Sequence, residues 1–136
     1  DNEISVAEGG FVVKSIISMI IVAVLLTVGA IFEADFVHRQ FNEFDEVLCV
    51  LYEKVNDEVA TENDVYAVQK NWLDKKKYLH VFIPHNEIKE IDLWLAESVK
   101  LVRDKEWHDA VSKIEVLKEL SEQIPKTFSV TWENIF

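Results

Sequence analysis

Eighteen consecutive residues without a charge, Ser15 to Phe32 (SIISMIIVAVLLTVGAIF), constrain this chain more than any other feature. With Phe11, Val12 and Val13 beyond the single Lys14, the run makes a helix of about 22 residues and roughly 33 Å, enough to cross a bilayer's hydrocarbon core. The residues before it, 1–10, are polar with Gly9-Gly10 at their end and read as a short flexible lead. A cleaved signal sequence competes with this reading, with Val28-Gly29-Ala30 as its cleavage site. Such a sequence needs a basic flank and an apolar core of about 7 to 15 residues. Here the core is longer, and Asp1, Glu3 and Glu8 precede it against Lys14 alone, so an uncleaved transmembrane helix over 11–32 is the expectation. A buried helix of a soluble protein ranks behind both. Lys14 before the span and Arg39 after it tie on the count that sets membrane orientation.

Residues 33–136 then form the second region, about one domain's worth of chain with room for one modest core. They carry 22 acidic against 13 basic residues, within a chain of net charge −11. A domain of that sign repels nucleic acid and anionic lipid at long range, which sets aside a nucleic-acid role. Three glycines and two prolines supply little turn chemistry for a sheet. The expected fold class is therefore all-α: a transmembrane helix continuing into an antiparallel bundle of about four helices.

Helical periodicity organises that region. Val37, Phe41, Phe44, Leu48, Leu51 and Val55 alternate steps of four and three, an a/d seam that extends the first helix to about Val59. Such a stripe packs on the domain's own helices or, on the sharper reading, faces a partner as a coiled coil. Thr61 followed by Asp64 is a capping signal for a second helix, Glu62 toward Phe82, with Val65, Val68, Trp72, Leu79 and Phe82 inward. Lys75, Lys76 and Lys77 interrupt it and read as a solvated face, with an anionic polymer or lipid as the functional alternative. Pro84 stops the helix, and Asn86 is the better cap for a third, whose stripe is Ile88, Ile91, Leu95, Val99 and Val102, widened by Trp94 and Leu101. A polar turn at Arg103-Asp104-Lys105 leads to a fourth helix bearing Trp107, Ala110, Val111, Ile114, Leu117, Leu120 and Ile124, which Pro125 is expected to end. The apolar tail from Phe128 to Phe136 is expected to dock on the core.

Chemistry-bearing patterns are sparse. No nucleophile stands beside a base, and no phosphate-binding glycine loop or H-E-x-x-H occurs, so no catalytic residue and no cofactor are assigned. His80, His85 and Glu87 are the weak metal candidates, because five residues around a proline do not supply the one-face spacing a site needs. Cys49, alone in the chain, reads as a small buried hydrophobe or as one half of a bridge between two copies.

Three segments carry a family resemblance: Tyr78 to Asp92 with its His85-Asn86-Glu87, the turn from Asp104 to Ala110, and the ending Trp132-Glu133-Asn134-Ile135-Phe136. They resemble the bacterial family called domain of unknown function 4363, and the likeness extends from the span to the last residue. That resemblance implies a Gram-positive, often spore-forming source and an extracytoplasmic C-terminal domain without assigned activity. It also implies a neighbourhood of multi-pass membrane proteins of the YetF type. The expected function is that of a membrane-anchored helical interaction protein, an accessory subunit without catalysis. Its partners would be the lipid bilayer and either a multi-pass protein or a second copy, met through Val37, Phe41, Phe44, Leu48, Leu51 and Val55. The alternative is an extracytoplasmic ligand or metal sensor using His80 to Asp92.

Overall fold

The computed structural model describes the backbone of residues 2–133 and the side chains of residues 12–127. Four helices follow in order: α1 (Asn2–Asn56), α2 (Glu62–Leu79), α3 (His85–Arg103) and α4 (Trp107–Glu133), and the described residues include no strand. The chain divides into two compact units, Asp1–Glu33 and Ala34–Phe136. α1 begins at Asn2, so residues 2–10 form its first turns. Only Gly9-Gly10 oppose helix there, at about 1 kcal/mol each.

In the first unit the apolar side chains from Val12 to Phe32 are exposed on every side of α1. Its hydroxyl at Thr27 donates back to the Ala23 carbonyl at 2.9 Å, which satisfies a polar group without water.

The second unit is a bundle in which each helix runs antiparallel to the next. From α1 to α2 the pairs are Phe36 with Phe82, Glu43 with Lys75 and Lys54 with Asp64, so one number falls as the other rises. The same reversal joins α2 to α3 through Trp72 with Asp92 and Glu62 with Arg103. Glu97 with Lys113 links α3 to α4, and the ring closes where α4 meets α1 through Ser121 with Asp45 and Glu115 with Tyr52. Helices α3 and α4 approach most closely. Fully buried Ser98 and Ala110 permit this, being small enough for two backbones to come together. α1 stands off on larger side chains, with Phe41 and Phe44 packed on Trp72 at ring separations of 6.1 and 5.0 Å.

Local chemistry sets the helix ends. At α2 the Thr61 hydroxyl accepts from the Asp64 amide while the Asp64 carboxylate accepts from the Thr61 amide at 2.8 Å, a complete capping box. Asp64 also accepts from Lys54 Nζ, and these hydrogen bonds, that from Lys54 first, hold its carboxyl below the ordinary range. α1 ends at Asn56, earlier than the seam suggests, because Glu58 takes a left-handed φ of 59°. The Val59 amide then donates to the Lys54 carbonyl and the Glu58 amide to Val55. Lys105, at φ 58°, repeats the device after α3, with Glu106 donating to Leu101 and Lys105 to Val102. Both are Schellman closures that ordinarily favour glycine.

Two expectations about helix ends are corrected. α3 starts at His85 with Pro84 as its cap, since the proline's fixed φ suits a helix start and it lacks only an amide that would go unused. Asn86 therefore lies inside the first turn. Pro125 does not end α4, which runs through it to Glu133. The cost of the missing amide is confined to one carbonyl, and Pro125 is itself buried among the packed side chains. Docking of the tail side chains from Phe128 onward lies outside the described residues.

Candidate functional site

The six seam residues are all buried inside one chain: Val37, Phe41, Phe44, Leu48, Leu51 and Val55 belong to the core with Trp72, Ile91, Leu95, Ile114 and Leu117. As a partner-binding surface this assignment is corrected, since the ring of four helices already covers the face that the periodicity exposes. A heptad stripe looks alike whether it meets its own domain or another chain.

What α1 leaves outward is different. Val50 is exposed, and a groove of about 290 Å³ beside it, between α1 and α2, is lined by Val47, Leu51, Ala67, Val68 and Asn71. Asn71 Oδ1 is buried there without a hydrogen-bond donor. An unpaired buried acceptor costs about 1–3 kcal/mol.

The other concave feature lies between the last turns of α2 and the start of α3, a groove of about 630 Å³. Leu73 and Ile88 supply its apolar lining, and Lys70, Asp74, Lys76, Lys77, His80 and His85 surround them. The lysine run is not uniformly solvated, as the sequence reading has it. Lys75 is 7% exposed and turns inward across the bundle to Glu43 and Gln40 of α1. That hydrogen bond and charge lower the Glu43 carboxyl. Lys76 bridges to Asp92, which also accepts from Trp72 Nε1 at 2.8 Å. Lys77 pairs with Asp74 at 2.8 Å, raising its own ammonium and lowering the carboxyl through their hydrogen bond. The His80 ring lies with Nδ1 3.2 Å from the Lys76 carbonyl, an oxygen that can only accept, so Nδ1 is the donor in this contact.

His80 and His85 thus share one groove, as the kink at Pro84 allows, but Glu87 is not among its lining residues. Among the described residues no three His, Cys, Asp or Glu side chains come together as a metal site, so His80, His85 and Glu87 are not assembled as ligands. Cys49 is half-buried, with Sγ 3.7 Å from Asp45 Oδ2. The inward turn of Lys75 has no sequence signal beyond its register with Val68, Trp72 and Leu79.

An up-down-up-down helical bundle whose first helix begins with a stretch long and apolar enough to cross a membrane is the class that fold and surface define. Within it, the chain belongs to the family described as Domain of unknown function (DUF4363), whose sequence profile matches residues 36–135. No curated protein and no solved structure gives a match to the chain.

Proposed function

We propose that this is a single-pass protein of the cell membrane whose helical domain, outside the cytoplasm, acts by binding, as an accessory subunit of a membrane-protein complex. The observation that carries the reading is the first half of α1, where none of the apolar window is buried by the chain itself. An apolar surface of that extent needs lipid or protein around it. Binding is supported by the α1/α2 groove, where Asn71 Oδ1 awaits a donor beside the exposed Val50. The contact with a multi-pass partner therefore falls on the outer face of α1 and not on the seam from Val37 to Val55.

Photocrosslinking in native membranes tests this. A photoreactive residue at position 50 is expected to give adducts with another membrane protein, while the same residue at buried position 44 gives none. Adducts only with a second copy would replace the subunit reading with a homo-oligomer. A folded, membrane-inserted protein with no adduct at position 50 would overturn it.

A further inference from the structure

In a chain this acidic, the stretch from Lys70 to Asn86 stands apart, with four lysines against the single acid Asp74. The fold concentrates it at one end of the bundle. Antiparallel pairing brings the α2–α3 connection beside the residues where α1 enters the bundle, and the rings of Phe36 and Phe82 meet there at 6.0 Å. Two apolar side chains at this connection face solvent, Tyr78 at 63% and Val81 at 71% exposed. Acids lie at both ends of the bundle, Asp57, Glu58, Glu62, Asp104 and Glu106 around the other two connections and Asp35, Glu87 and Glu90 near this one, so the lysines from Lys70 to Lys77 are a local basic cluster.

We infer that the groove between α2 and α3 binds the phosphate headgroup of an anionic lipid, with Tyr78 and Val81 seated in the membrane interface. This rests on the membrane reading proposed above. Chain reach is the first argument. Only three residues lie between Phe32, the last of the apolar run, and Phe36, and the four steps of chain extend at most about 14 Å. Phe36 in turn touches Phe82, the neighbour of Val81. A headgroup layer about 5–8 Å deep lies within that distance.

The chemistry of the groove is the second argument. A phosphate on a glycerol backbone asks for several donors around an apolar wall. Lys70 and Lys77 with the imidazoles of His80 and His85 surround Leu73 and Ile88 in that manner, beside Lys76, which is bridged to Asp92, and Asp74, the one carboxylate of the lining. Lys77 and Asp74 form an exposed pair, and such pairs are worth at most about 1 kcal/mol, so a phosphate can recruit that ammonium at little cost. Lys70 is exposed and carries no ion pair among the described residues. Tyrosine is suited to the interface, with a ring for the acyl boundary and a hydroxyl for water.

The test uses the full chain, reconstituted in vesicles of phosphatidylcholine alone or of phosphatidylcholine with phosphatidylglycerol. An environment-sensitive fluorescent amino acid at position 81 reports depth, read by quenching from nitroxide-labelled lipid, and resistance to alkaline extraction reports insertion. In anionic vesicles the expected result is insertion with strong quenching at position 81. Lys70→Gln and Lys77→Gln should each weaken the association by about fivefold, and Lys105→Gln at the far end should leave it unchanged. Insertion with equal quenching in both lipids, or an equal loss with Lys105→Gln, would overturn the headgroup site and leave the anchor standing. Extraction of the whole protein by alkali would overturn the anchor, and with it this inference. Tryptophan fluorescence of each variant establishes that the bundle is folded.

Discussion

The two left-handed turns make the sharpest stability prediction. Glu58 and Lys105 hold φ values near +60° at the first and third connections of the bundle, with their amides committed to Schellman bonds. A residue with a Cβ pays about 1–2 kcal/mol in that conformation. Glycine pays nothing there but loses about 0.5–1 kcal/mol more in backbone entropy on folding. The difference predicts that Glu58→Gly and Lys105→Gly each stabilise the domain by about 0.5–1 kcal/mol. Neither side chain makes an ion pair or hydrogen bond among the described residues, so little is lost on removal. The two positions share no partner and their effects should add, giving about 1–2 kcal/mol together. For a domain of this size that is a rise of about 4–16 °C in Tm. Urea and thermal unfolding of the full chain in mild detergent, followed by the summed fluorescence of its four tryptophans, of which Trp72 is buried in the core, measures it, because helix content in α1 persists in detergent and would mask the transition in far-UV dichroism. Glu58→Ala and Lys105→Ala keep the Cβ and should change stability little. Glycine variants no more stable than the alanine variants would refute the reasoning, since the left-handed strain would then be absent.

Further perturbations address the cross-bundle contacts. Lys75→Met keeps the buried stem and should cost less than about 1.5 kcal/mol, whereas Lys75→Ala opens a void and should cost about 2 kcal/mol or more, read from urea midpoints. Trp72→Phe removes the indole donor from Asp92 and should cost about 1–3 kcal/mol. Thr61→Ala breaks the capping box for about 1 kcal/mol, with α2 showing faster amide exchange at its first turn. Because the Asp64 and Glu43 carboxyls are lowered in the fold, their contribution is fully present above the unfolded carboxylate values near pH 4 and is lost as pH falls through the folded ones. Asp64→Asn should therefore flatten the acid limb of a stability-against-pH curve below about pH 4. An unchanged limb would mean that other carboxyls carry it.

How far sequence could go is clear from individual residues. The stripes of α3 and α4 were legible because period 3.6 and burial coincide at Ile88, Ile91, Leu95, Ile114 and Leu117. Thr61 and Asp64 were legible because a capping box is local. The seam of α1 was legible as a buried face but not as to whose core it joins, because Phe41 and Phe44 find Trp72 only through the long-range return of α2. The burial of Lys75 is not legible locally for the same reason: its destination, Glu43, is on another helix. The place of Pro125 inside α4 is not legible locally, because propensity opposes a proline that tertiary packing holds there. The groove is a product of topology, since neither Leu73 nor Ile88 announces the other.

The antiparallel closure of α4 on α1 also has a mechanical consequence. Tension between Ala34 and the far part of α4 is applied at one end of two neighbouring antiparallel helices, as the pairing of Asp45 with Ser121 and of Tyr52 with Glu115 requires. Such a load opens contacts one after another, beginning nearest the point of pull, and does not shear them all at once. The bundle is therefore built to peel like a zipper at low force, with Ser121 and Asp45 parting before Tyr52 and Glu115.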